Sequence, residues 1–328
     1  MKIKLQLFLV ASLLSAGFNN TYSQINVGPT EEVKMKPKTI DQVDVDALIK
    51  TKTAFIYGKS EVGELENWKK VIAQVWTITP VEFISYEKFA SYYAKTNYSF
   101  ITISGFNTSV TNVSTGFAYD NSHFYLNLWM KHINDKGKAE KKSFFRIELY
   151  PDFKTYAKVQ TAKKEEVFNA IYGTGKFFNL YPGLIMNDLK LANDCLKSGE
   201  VRWLFQNQTN AEAMGKLSDD TLYMPDYMLV QFNAMTGDET KKMDEQKLMA
   251  AYTNIYKYIS AKELSDKIVN GSDSKFYYLI YVKSSTDKYL NVFNSQNGEL
   301  IYSRYKPISY NVSETDFKDL MKAISGED

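Results

Sequence analysis

Phe83-Ile-Ser-Tyr-Glu-Lys-Phe-Ala-Ser91 and Tyr258-Ile-Ser-Ala-Lys-Glu-Leu-Ser-Asp266 match in residue type and spacing. Each passes from the end of an apolar strand into a short helix. The agreement continues downstream: Asn97 to Ser104 and Lys275 to Tyr281 both read as strands, and Tyr125-Leu-Asn-Leu-Trp129 is answered by Tyr289-Leu-Asn-Val-Phe293. A further strand follows each, Ser143 to Leu149 in one case and Glu299 to Ser303 in the other, the latter after the tight turn Gln296-Asn-Gly298. Thr161 and Ser313 then stand as N-caps ahead of helices facing inward through Val167, Phe168 and Ile171, and through Phe317, Leu320, Met321 and Ile324.

Upstream of the matched pair, Ala54-Phe-Ile-Tyr57 is a strand, and Gly63 to Trp76 a helix with Leu65, Trp68, Ile72, Val75 and Trp76 on one face. The counterparts are a strand over Tyr227 to Phe232 and a helix over Asp244 to Tyr252. Both ends of the chain therefore read β-α-β-α-β-β-β-α. That order implies an α/β fold of mixed sheets covered by helices, built twice by internal duplication. The expected divisions are a signal peptide at 1–23, a polar leader at 24–50, the first repeat at 51–172, a joining segment with a helix at 173–224 and the second repeat at 225–328. The joining segment, with Arg202-Trp-Leu-Phe205, is too apolar for a flexible tether and is expected to pack between the repeats.

Lys2 and Lys4 precede the apolar run Leu5 to Leu14, and small residues at Thr21 and Ser23 suit cleavage before Gln24. The run is about ten residues, whereas spanning a bilayer takes about 20. No cysteine follows it, so no lipid anchor is expected. The expectation is an exported protein, periplasmic or secreted, with no integral membrane segment after cleavage. Removing 1–23 takes away two lysines and no acid, so the 40 cations and 38 anions of the 328 residues become equal in number. A neutral chain is not suited to nucleic acid as a partner.

Motifs that carry chemistry fail on their context. Gly173-Thr-Gly-Lys176 has Phe177 where a phosphate loop needs Ser or Thr, and it follows a helix. Tyr302 and Lys306 have a reductase spacing but lie along a strand. His123 and His132 are too far apart on one strand to share a metal, so no metal site or cofactor is expected. Cys195, the lone cysteine, reads as a small apolar core residue of the helix before Gly199. No catalytic residues can be assigned.

Of the 24 Tyr, 20 Phe and 4 Trp, most fall at positions needed for cores. The exceptions gather in or beside the joining segment: Tyr181, Trp203, Tyr223 and Tyr227, with Asp226 among them. These are the candidate ligand-binding residues, since a cleft between repeats would form there. The signal peptide ending in Ser23-Gln24, together with Leu222-Tyr-Met-Pro-Asp-Tyr-Met-Leu-Val230 and Lys283-Ser-Ser-Thr-Asp-Lys288, resembles uncharacterised exported α/β proteins of Bacteroidetes-type bacteria. The resemblance is clearest over roughly residues 175–310. It implies a Gram-negative envelope but no activity. The function expected is therefore that of a soluble, non-catalytic binding or adaptor protein of the envelope, taking a protein or glycan partner. The alternative is a hydrolase acting on envelope glycans or peptides.

Overall fold

The computed structural model describes residues 24–29, 36–111, 118–133, 137–233, 238–271 and 275–327, without the side chains of 108–111 and 118–121. The stretch read as a signal peptide lies outside the described residues. The first half holds β1 (Ile25–Val27), α1 (Gln42–Ile49), β2 (Lys52–Tyr57), α2 (Leu65–Val75), β3 (Val81–Ser85), α3 (Phe89–Tyr93), β4 (Tyr98–Thr111), β5 (Ala118–Ile133), β6 (Ala139–Leu149) and α4 (Phe153–Thr161). Next come α5 (Val167–Thr174) and α6 (Pro182–Ser198). The second half holds β7 (Gln208–Thr209), α7 (Ala211–Gly215), β8 (Leu222–Pro225), α8 (Glu245–Leu248), β9 (Tyr256–Ile259), α9 (Ala261–Asn270), β10 (Tyr277–Ser284), β11 (Asp287–Asn294), β12 (Leu300–Lys306) and α10 (Glu314–Ser325).

Two six-stranded sheets result, ordered β1-β6-β5-β4-β2-β3 and β7-β12-β11-β10-β8-β9. Matching the strands one to one makes the two orders identical. In each sheet three strands run parallel (β3, β2, β4; β9, β8, β10) and the rest continue as an antiparallel meander. The fold is α/β, with mixed sheets and a repeated topology.

The register carries the duplication down to single residues. Ile101 faces Leu128 across β4 and β5, and Leu279 faces Val292 across β10 and β11. Tyr125-Leu-Asn-Leu-Trp129 and Tyr289-Leu-Asn-Val-Phe293 thus hold equivalent places, and Asn127 and Asn291 are both buried there. A register shift interrupts the next pairing in both halves, between Leu128 and Trp129 and between Val292 and Phe293. A β-bulge re-aims the side chains beyond it and persists as a built feature. Its recurrence at one equivalent bond ties the halves more closely than the few identities do.

Both halves begin earlier than the matched sequence suggests. Ile25, Asn26 and Val27 of β1 are buried and pair with β6, inside the stretch read as a polar leader, and β7 pairs with β12 in the same way. Three local expectations change. The strand placed at Tyr227–Phe232 lies at Leu222–Pro225, and 226–229 is a 3-10 turn. That run is apolar because Tyr227 and Met228 enter the core, not because they join a sheet. A short apolar run does not by itself distinguish the two. Thr161 ends α4 rather than capping a helix: the helix through Val167, Phe168 and Ile171 is α5, which starts after Glu166 without a side-chain cap. The α4 helix before it is capped by Asp152, whose carboxylate accepts from Thr155 N at 2.8 Å. The helix expected over Asp244–Tyr252 is the single turn α8, which Asp244 caps.

Two cores flank α6. Ile185, Leu189, Ala192 and Leu196 join the core of the first sheet, and Leu184 that of the second. Gly183 lets the first turn of α6 lie against α9: a Cβ there would stand 2.4 Å from Ser265 O, and Gly183 N donates to Ser265 Oγ at 2.9 Å. Gly199 ends α6 with φ +75, which costs a glycine little. Cys195 is buried in this helix, and burial pushes its thiol up to about 11.

Candidate functional site

Parallel strands of open α/β sheets present their carboxyl ends to ligands, because the chain turns there into loops and helix starts. In this fold, the ends of β2, β6, β8 and β9 open on one cavity of about 640 Å³. Ser60, Glu61 and Glu64 follow β2, Asp152 follows β6, Asp226 and Tyr227 follow β8, and Ser260 and Lys262 follow β9. Phe177, Phe178, Leu180 and Tyr181, from the segment leading into α6, form an apolar wall.

The duplication accounts for this convergence. Phe55 pairs with Phe83 and Met224 with Tyr258, so Tyr57 and Gly58 are the equivalents of Asp226 and Tyr227. The cavity is lined by the same strand end of both repeats, brought together by α6 packing on α2 and α9.

Of the five residues singled out from sequence, the structure brings three together: Tyr181, Asp226 and Tyr227. Tyr181 is half-buried at the start of α6, and burial raises its phenol pKa. Tyr227 is buried and donates its hydroxyl to Tyr281 O at 2.9 Å, so it offers a ring face rather than a free hydroxyl. Asp226 is exposed, and among the described residues its carboxylate makes no hydrogen bond or ion pair. Trp203 and Tyr223 lie elsewhere. Trp203 packs edge-on against Phe205 at 5.9 Å, and Tyr223 against Phe276 at 5.3 Å with Lys267 over its ring.

Glu61 had no signature in the sequence. Its carboxylate is buried, accepts from Gly58 N at 2.6 Å and is reached by Ser60 Oγ. Burial raises its pKa, and those two hydrogen bonds only partly offset this. Glu64 stands apart in character, since Lys262 Nζ lies 2.7 Å from it and Asn67 donates at 3.0 Å. Lys176 and Lys242 line the same space, and their ammonium groups make no ion pair or hydrogen bond among the described residues.

A raised carboxyl pKa means that the folded state holds the proton more tightly than the unfolded chain, whose value is about 4.3. Folding of the native protein should therefore weaken as pH rises from about 4 through the folded value of Glu61. Glu61→Gln keeps an acceptor for Gly58 N and does not ionise. We expect the two proteins to match in stability below pH about 4 and Glu61→Gln to be the more stable at pH 7. Urea titrations at a series of pH values check this. Parallel curves would show that the buried carboxyl carries no penalty.

The chain matches no protein-family model, no curated protein and no solved structure, so the functional reading rests on the cleft itself.

Proposed function

We propose that the chain is an exported, non-catalytic binding protein of a bacterial envelope, and that its ligand occupies the cleft at the shared strand ends. The single observation that carries this is the composition of the cleft: an aromatic wall beside charges of both signs, Asp226, Lys176 and Lys242, that make no ion pair among the described residues. Most ligand sites combine an apolar lining with a few polar groups in this way. Export is supported by Lys2, Lys4 and the apolar run that follows them.

Two measurements test the proposal. A soluble digest of bacterial envelope, separated into peptide and glycan fractions, should raise the melting temperature of the purified protein. Tyr181→Ala should weaken that binding about tenfold, the worth of one aromatic contact. Binding that ignores Tyr181→Ala would place the ligand elsewhere. Mass spectrometry of the protein from its native cell should find an N-terminus at Gln24 outside the cytoplasm; Met1 retained in the cytoplasm would overturn export.

Glu61 favours a second reading. A buried carboxyl with raised pKa beside a cleft is what a general acid requires, and a hydrolase would use it. It ranks second because both carboxylate oxygens are already held by the chain's own donors and because Glu64 is neutralised by Lys262. Turnover of a bound fragment, abolished in Glu61→Gln with binding retained, would promote it.

A further inference from the structure

The cleft does not stop at the aromatic wall. A second cavity, of about 710 Å³, lies over the start of α4 and shares Asp152, Lys176, Phe178 and Val230 with the first. Four common walls make the two spaces chambers of one groove. A drug-sized molecule fills roughly 300–1,000 Å³, so either chamber alone would hold one. The joined groove suits a longer, linear occupant.

Charge narrows its class. The other charges along the groove already have partners within the protein: Glu64 with Lys262, Glu239 with Lys283 and Phe153 N, Asp152 with Thr155 N, Glu61 with Gly58 N and Ser60, Lys158 with Thr174 Oγ1, and Asp238 with Thr240 N. The charges left over fall in an order. Lys154 belongs to the second chamber, Lys176 to the boundary, and Asp226 and Lys242 to the first chamber. None of these four makes a side-chain ion pair or hydrogen bond among the described residues.

Resting on the binding reading above, we propose that the groove takes a linear peptide that carries both signs of charge. Its basic group lies at Asp226, its apolar or aromatic side chains lie on Phe178 and Tyr181, and its acidic end lies between Lys154 and Lys176. A peptide supplies all three along one chain. A neutral glycan would leave all four charges uncompensated and an acidic glycan would leave Asp226 facing like charge, whereas the peptide leaves only Lys242 without an opposite charge. Charge-assisted hydrogen bonds of this kind are the strong ones, and like-sign contacts exclude the wrong partner.

The test uses the full mature chain and fluorescein-labelled octapeptides built from Lys, Phe, Ser and Glu, read by anisotropy. Two comparison probes are an uncharged oligosaccharide and an oligouronate. Peptides with a basic end, central Phe residues and an acidic end should bind most tightly. Replacing their Glu residues by Ser should weaken binding about tenfold. The paired variant Lys154→Glu with Lys176→Glu should remove the preference for the acidic end and leave that for the basic end. Asp226→Asn should do the reverse. These are exposed side chains, so folding is not at risk. Charge preferences that do not separate between the two variants would overturn the proposal. If the oligouronate binds more tightly than every peptide and Tyr181→Ala weakens it, the peptide class falls while the cleft stands. If no probe binds and the envelope digest is indifferent to Tyr181→Ala, the binding reading itself falls.

Discussion

Replacing Asp316 by alanine is expected to cost the second repeat about 3–5 kcal/mol of folding stability, the usual loss when one member of a buried ion pair is removed. Asp316 lies in the first turn of α10 and is buried, as is Lys288 of β11. Lys288 Nζ stands 2.6 Å from Asp316 Oδ2 and donates to Asn311 O at 2.7 Å, while Lys306 Nζ reaches Asp316 Oδ1 at 2.8 Å. The same carboxylate accepts from Ser313 N at 2.8 Å, which anchors the start of the helix. Its loss strands an ammonium in the core and uncaps α10 together.

The pH dependence has a definite sign. Burial alone would raise the Asp316 pKa, but Lys288 and Lys306 hold it below the ordinary carboxylate range. A depressed acid stabilises the fold above its unfolded value, near 3.9, and that contribution is lost as pH falls toward the folded value. Asp316→Ala should therefore show its full deficit at pH 7 and a smaller one below pH about 4. Urea unfolding at both pH values measures it. Lys288→Met combined with Asp316→Leu should recover much of the loss, because a buried pair replaced by apolar groups leaves no stranded charge. A deficit under about 1 kcal/mol for Asp316→Ala at neutral pH would mean that water reaches the pair.

Arg146→Ala should have a comparable effect, about 3–5 kcal/mol, for a different reason. Glu148 has no exposure, and Arg146 Nε lies 2.9 Å from it. Ser284 Oγ, at the end of β10 in the second repeat, donates to the other carboxylate oxygen, and His123 Nδ1 lies 3.1 Å from that hydroxyl. The guanidinium sits over Phe106 and Tyr125 at 5.5 and 5.6 Å. Polar groups of both repeats therefore meet in one water-excluded network. Burial raises the Glu148 pKa even with Arg146 beside it. Without the guanidinium, ionising Glu148 would cost more, so the deficit of Arg146→Ala should widen as pH rises from about 4 to 8. Glu148→Gln added to Arg146→Ala should narrow it at pH 8. A deficit independent of pH would assign the loss to packing over Phe106 and Tyr125.

How much of this was legible in the residues differs by element. The repeated strand-to-helix passages at Phe83 and Tyr258, the shared Tyr-Leu-Asn and the Ser313 helix start were readable because period and capping are local properties. Alignment of the repeats by pattern agrees with the register at Asn127 and Asn291. The strand at Leu222–Pro225 was displaced to Tyr227–Phe232 because burial makes both runs apolar, and only pairing with β9 and β10 tells them apart. Thr161 suits a cap by residue type alone, whereas the structure ends α4 there and starts α5 at Val167.

The candidate site divides in the same way. Tyr181, Asp226 and Tyr227 stood out as aromatic and acidic residues in or beside the joining segment. Glu61 and Lys176 did not, because a single charged residue in a loop has no period or spacing to mark it. Gly58 and the residues after it follow the strand equivalent to the one before Asp226, but that equivalence holds only once β8 is placed at Leu222–Pro225.

The sequence by itself determined the class of fold, its duplication and the balance of charge, because each is a sum over local choices of side chain. Which strand ends face each other, which charges are neutralised and which remain open were decided by the tertiary structure alone. The physical reason is distance along the chain. Glu61, Lys176, Asp226 and Lys262 share one cavity, although no two of them lie on the same helix or strand. The seating of α6 on α2 and α9, with β10 against β5 and β6, brings them together.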